Sequence, residues 1–133
     1  MQTALLCNQD REERNLIAQV LEENDVQVVE TDSSEQVLAY VEQLEPEIVV
    51  LDIIMASGNG ISLLKQLQRM PGSPCIVLKS SCQLKGHLRK ALRLGADAVL
   101  PKPVTAEQVR QLAHLTERRS LYRRFPSDRQ LQH

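Results

Sequence analysis

Tryptophan is absent from this chain, and one phenylalanine with two tyrosines are its only aromatics. A core cannot be built around rings here, so leucine, valine, isoleucine and alanine must fill it. Cysteine is scarce and odd in number. Cys7, Cys75 and Cys82 form no CxxC and no Cys/His ligand spacing, which argues against a disulfide framework or a zinc cluster. Cys7 and Cys75 sit inside apolar runs and read as small buried thiols. No apolar run approaches membrane-spanning length, and no basic-then-apolar leader follows Met1. The expectation is a reduced, cytoplasmic protein with no membrane partner. A net charge of -1 gives no overall bias toward nucleic acid. The charge is uneven, however. Beyond Glu117 stand Arg118, Arg119, Arg123, Arg124 and Arg129 with Asp128 as the only acid, so an acidic body carries a basic tail.

What the chain does contain is alternation. Its 133 residues suit one domain. The apolar runs are Ala4–Cys7, Val26–Val29, Ile48–Leu51, Cys75–Leu78 and Ala98–Leu100. The first, third and fourth are continuously apolar, as strands covered on both faces should be; the second and fifth suit sheet edges. Between them, Leu16/Ile17/Val20/Leu21, Val37/Leu38/Val41/Leu44 and Leu63/Leu64/Leu67 recur at helical spacing, as do Leu84/Leu88/Ala91/Leu92 and Val109/Leu112/Ala113. Asn24-Asp25, Ser33-Ser34, Pro71-Gly72 and Gly95 punctuate these patterns, and Thr105 with Gln108 forms a capping-box pattern. Strict strand–helix alternation predicts an α/β fold: a doubly wound five-stranded parallel sheet in order 2-1-3-4-5.

Such a sheet binds ligands beyond the carboxyl ends of its strands, beside the first and third. The residues there are Asn8-Gln9-Asp10, Thr31-Asp32, Asp52, Lys79-Ser80-Ser81 and Pro101-Lys102-Pro103. Asp52 ends a central apolar run, so its carboxylate is expected to face the crevice; the alternative is an aspartate capping the loop Ser57-Gly58-Asn59-Gly60. Lys102 lies between prolines, where a cis peptide would aim its ammonium inward; the alternative is a solvated lysine. Ser80 offers a hydroxyl to an oxyanion or, equally, a helix N-cap.

Leu51-Asp52-Ile53-Ile54-Met55 with Gly60 eight residues after the acid resembles the phospho-acceptor segment of response-regulator receiver domains. Ser80, Gly95-Ala96-Asp97 and Leu100-Pro101-Lys102-Pro103 resemble that family's switch hydroxyl, fourth-helix terminus and Lys-Pro element, with Ser80 standing 22 residues before Lys102. The resemblance spans residues 3 to 119 and implies a flavodoxin-like (βα)5 receiver at 1–119, followed by a basic tail or linker at 120–133. It implies phosphoryl transfer from a sensor histidine kinase, a phosphotransfer protein or a small phosphodonor to Asp52. Lys102 and Ser80 would then grip the phosphoryl group. Mg²⁺ would be held by Asp52, by the backbone carbonyl of Ile54 and by an acidic pair after the first strand. Output would pass through the face made by the fourth helix, fifth strand and fifth helix, near Leu84, Leu88, Val99 and Leu112, with basic Lys85, Arg89 and Arg93 around it. The partner there is an output protein or domain, or a second copy of the chain. No helix-turn-helix pattern fits in 120–133, so nucleic acid would be reached only through a separate output domain.

Several positions depart from the family pattern. Asn8 and Gln9 occupy the place of the acidic pair, with Asp10 next; amide oxygens ligate hard cations but bring no charge, so Mg²⁺ binding should be weak or absent unless Asp10 reaches the pocket. Val99 replaces the switch aromatic, Ala56 a proline, and Lys79 precedes Ser80, where it reads as a solvated lysine; the alternative is a second cation near the mouth of the crevice. The leading expectation is a receiver phosphorylated weakly or conditionally on Asp52. The alternative is a phosphorylation-independent pseudo-receiver acting as an interaction module. An enzyme is disfavoured, because the chain has no glycine-rich phosphate loop and no nucleophile elbow.

Overall fold

Runs rich in β-branched residues and apolar at every position form strands only where both faces can be covered. The computed structural model describes residues 2–8, 10–52, 54–55, 58–70, 72, 74–79, 89, 92–93, 95–101 and 103–114. The five runs become β1 (Gln2–Cys7), β2 (Val26–Thr31), β3 (Ile48–Asp52), β4 (Cys75–Lys79) and β5 (Ala98–Leu100). They pair in one parallel sheet in the order β2-β1-β3-β4-β5, the predicted 2-1-3-4-5. Every residue of β3 and β4 is buried, whereas β2 shows exposed positions, as a sheet edge should. The register places Cys7 opposite Leu51, and Asp52 opposite Lys79.

The connections are α1 (Arg11–Glu23), a short 3₁₀ turn (Ser34–Gln36) running into α2 (Val37–Leu44), and α3 (Gly60–Gln68). Residues 106–114 are helical, as are Arg89, Leu92 and Arg93. Ile54–Met55 pairs antiparallel with Gly58–Asn59 in a separate two-stranded ribbon. The sequence reading treats Ser57–Gly60 as loop, because two-residue strands are too short to show a period.

Side chains alternate across the sheet, and the core divides accordingly. Ala4, Leu6, Ile48, Val50, Cys75 and Val77 pack with Ile17 and Leu21 of α1 and with Val109 of the last helix. Leu5, Cys7, Val49, Leu51, Ile76 and Leu78 pack instead with Val41 of α2 and Leu64 and Leu67 of α3. Each fully buried leucine or isoleucine contributes about 1.5–3 kcal/mol, so two aliphatic layers replace the missing rings. Leu112, placed by the sequence reading near a partner-facing surface, is only 6% exposed and belongs to the first layer. Its helical spacing with Val109 already pointed inward. Val99 is half-buried, Leu92 is exposed, and Leu84, Lys85 and Leu88 lie outside the described residues.

The caps follow the sequence in part. Thr105 and Gln108 form the reciprocal capping box, with backbone-to-side-chain bonds of 3.2 and 3.3 Å. Gly95 takes φ +101°, a backbone conformation that side-chain-bearing residues rarely adopt, so glycine is favoured there.

Candidate functional site

Alternation along β3 and β4 determines which face their last residues occupy. Asp52 shares its parity with Ile48 and Val50, and Lys79 with Cys75 and Val77. Both therefore lie on the side roofed by α1. Asp52 is 5% exposed and Lys79 only 1%. The Lys79 ammonium is 3.4 Å from Asp52 Oδ2 and 2.5 Å from Glu13 Oε2, which descends from the first turn of α1. The expectation of a solvated Lys79 is therefore overturned. A lysine at the end of a surface strand extends its ammonium to water, but here α1 closes the path, and a buried cation needs carboxylate partners.

Glu13 went unnoticed in the sequence, where it is one of the acidic residues at the start of an amphipathic helix. The parity of Lys79 with Val77 was a usable signal for a buried cation. Nothing in the spacing indicated that Glu13 would be its counter-ion, because that depends on how α1 sits on the sheet.

The loop after β1 is tied down from several directions. Asn8 is fully buried; its Oδ1 accepts from the Asp10 backbone N–H at 3.0 Å, and its carbonyl accepts from Arg14 Nη1 at 2.8 Å. Arg14 also reaches Glu30 on β2 at 3.4 Å. Asp10 is exposed and serves as the N-cap of α1, its carboxylate accepting from the backbone N–H groups of Glu12 and Glu13. Its first duty is to the helix, whose orphan N–H groups lie two and three residues on, rather than to the crevice. Beneath them, Cys7 is buried on the opposite face. Burial pushes its thiol up from the ordinary 9.0 to about 12, with the Asp52 and then the Asp32 carboxylate adding to the shift and Arg14 opposing it.

The described residues at this end of the sheet do not form a set of free oxygens suited to a divalent cation. Asn8 accepts from the Asp10 backbone N–H with its side-chain Oδ1, and its buried Nδ2, a donor, has no hydrogen-bond partner among the described residues. Asp10 caps a helix, and an ammonium sits on both Asp52 and Glu13. A hard cation needs oxygens with their lone pairs available, and here one oxygen each of Asp52 and Glu13 already faces an ammonium, while Asn8 and Asp10 accept from backbone N–H groups. Among the described residues no group of three or more His, Cys, Asp and Glu is arranged to hold a metal. Ile54 lies in the ribbon just beyond Asp52, opposite Asn59. Gln9, Ser80 and Lys102 lie outside the described residues.

With this geometry in hand, the likeness to known proteins is informative. The family model described as the response regulator receiver domain matches residues 4–114. The transcriptional regulatory protein CpxR of Klebsiella pneumoniae is 35% identical over 77% of this chain and 44% of its own length. The chain thus spans less than half of that relative. The chemotaxis protein CheY of Halobacterium salinarum is 25% identical over 74% of the chain and 82% of its own length. In three dimensions, the receiver domain of the Francisella response regulator 1452 superposes with a TM-score of 0.81 at 21% identity, covering 90% of this chain and 99% of that one. NtrX from Brucella abortus gives 0.84 at 23% identity, covering 96% of this chain and 29% of its own. These structural likenesses speak for the fold, and the family match speaks for more: the chain belongs to the receiver domains of two-component response regulators.

Proposed function

We propose that this chain is a signalling receiver that accepts a phosphoryl group on Asp52, weakly or conditionally, and relays its state by protein–protein contact. The observation that carries this reading is the Asp52 carboxylate at the end of a central strand, its backbone locked by the sheet and its oxygen held beside a buried cation. A nucleophile fixed in this way pays little to reach an attacking geometry, and a nearby ammonium offsets the charge arriving on the phosphoryl oxygens. Ser80 and Lys102 are assigned the supporting contacts by sequence position, and Mg²⁺ a weak or absent role.

In this reading residues 1–119 are the receiver, and 120–133 are a basic tail leading toward an output domain or partner. The donors are a sensor histidine kinase, a phosphotransfer protein or a small phosphodonor. The output surface is built around β5 and its flanking helices, where Arg89 and Arg93 are exposed. It engages an output partner or a second copy of the chain. The setting is cytoplasmic, and no helix among the described residues is long and apolar enough to cross a membrane.

The test is acetyl phosphate labelling read by intact mass, with Asp52→Asn as the blank. A slow, partial gain of one phosphoryl mass, absent from the blank, is expected. If no label appears with any donor while a partner still binds, the chain is instead a phosphorylation-independent interaction module.

A further inference from the structure

We infer that Lys79 is a tethered counter-cation for Asp52, so that the pocket is closed to divalent metal and its phosphoryl chemistry is independent of metal. This deepens the acceptor reading and rests on it for the chemical half of the claim.

Three observations combine. The Asp52–Lys79 register places the two side chains on adjacent strands with the same parity, so their approach follows from the sheet rather than from a surface rotamer. The ammonium is enclosed, with the Lys79 side chain 2% and the Asp52 side chain 7% exposed. Glu13 closes the far side at 2.5 Å, its own side chain only 14% exposed. Two carboxylates converging from a strand end and a helix start are an arrangement that would attract a divalent cation, and one covalently held positive charge is already between them. A metal would have to displace an ammonium that cannot leave and would strand it in an apolar interior. Asn8 and Asp10 point the same way, since both direct acceptor oxygens at backbone N–H groups.

In the transfer itself, an Asp52 carboxylate oxygen forms the new bond to phosphorus. The bond from phosphorus to the acetyl oxygen breaks, and its electron pair leaves with acetate. Lys79 keeps its proton throughout and supplies positive charge only. Because Glu13 holds the ammonium from the other side, Lys79 can follow the growing charge while keeping its contact with Glu13.

The experiment uses the whole chain and Lys79→Met, with Mn²⁺ as the probe. Free Mn²⁺ is followed by electron paramagnetic resonance, and acetyl phosphate labelling is run with Mg²⁺ and with EDTA. Wild type is expected to show no saturable Mn²⁺ binding up to about 5 mM, and equal labelling in both conditions. Lys79→Met should bind Mn²⁺ at least about ten-fold more tightly, and its labelling should require metal. The double variant Lys79→Met/Glu13→Gln, which removes one charge of each sign, should lose that gain. Tight Mn²⁺ binding by wild type, EDTA-sensitive labelling of wild type, or a folded Lys79→Met that gains no metal would each overturn the inference. If Lys79→Met does not fold, the two wild-type measurements decide alone. If neither protein is labelled while the Mn²⁺ results are as expected, the counter-cation stands and the acceptor reading falls.

Discussion

The two ends of the sheet use acidic residues in opposite ways. At the amino end, Glu47 precedes β3 and binds β1 twice: its backbone N–H donates to the Thr3 carbonyl at 2.9 Å, and its carboxylate accepts from the Thr3 N–H at 2.6 Å. Asp97 repeats the device before β5, donating to the Ile76 carbonyl and accepting from the Ile76 N–H, both at 2.8 Å. In each case a side chain extends the ladder by one step and satisfies a donor the next strand has not yet reached. At the carboxyl end, Asp52 meets a side-chain cation, and Glu13 joins it from a helix. Backbone donors cannot be moved or titrated, so the amino-end acids are structural fixtures. An ammonium on a flexible stem can shift toward new charge.

The largest contrast between the ends should appear in stability. Lys79→Met leaves the buried Asp52 and half-buried Glu13 carboxylates without their shared cation and should cost about 3–5 kcal/mol. Asp97→Ala leaves one buried N–H unsatisfied and should cost about 1–3 kcal/mol. Urea unfolding of both variants measures the gap, and equal losses would mean the Lys79 pocket is no more than another strand-end tie. A smaller effect separates helix capping from site chemistry: Asp10→Ala should lose about 1 kcal/mol while leaving acetyl phosphate labelling and its response to Mg²⁺ unchanged. Any change in the metal response would place Asp10 in the crevice.

The smallest effect concerns Cys7, under the carboxyl end. Its folded thiol is raised from 9.0 to about 12, so the native state holds its proton where the unfolded chain has begun to release it. That contribution to stability is therefore full below pH 9.0 and is lost progressively as pH rises toward about 12. Denaturation followed between these limits should show the decline, and Cys7→Ser should flatten it. Native Cys7 should also resist alkylation near pH 8, since neither burial nor the Asp52 charge favours its thiolate.

The fold was legible because its signals are local and repeated. Continuous apolar runs at Ile48–Leu51 and Cys75–Leu78, mixed runs at the edges and the Thr105/Gln108 cap each follow from a few neighbouring residues. The position of Asp52 was legible too, since a strand end is fixed by the run before it. The ribbon of Ile54–Met55 with Gly58–Asn59 was not, because its strands are shorter than any period.

The sequence alone determined the sheet, its order, the aliphatic composition of its two layers and the location of an acid at the end of a central strand. These depend on periodicity and on the right-handedness of strand–helix–strand crossovers, which any stretch of chain carries within itself. Only the tertiary structure decided that Lys79 is buried rather than solvated, that Glu13 is its partner and that Asp10 belongs to a helix cap. Each of those facts depends on the seating of α1 over the ends of β3 and β4. Glu13 and Lys79 are far apart in sequence, and only packing brings them to 2.5 Å, where exclusion of water makes their charges count.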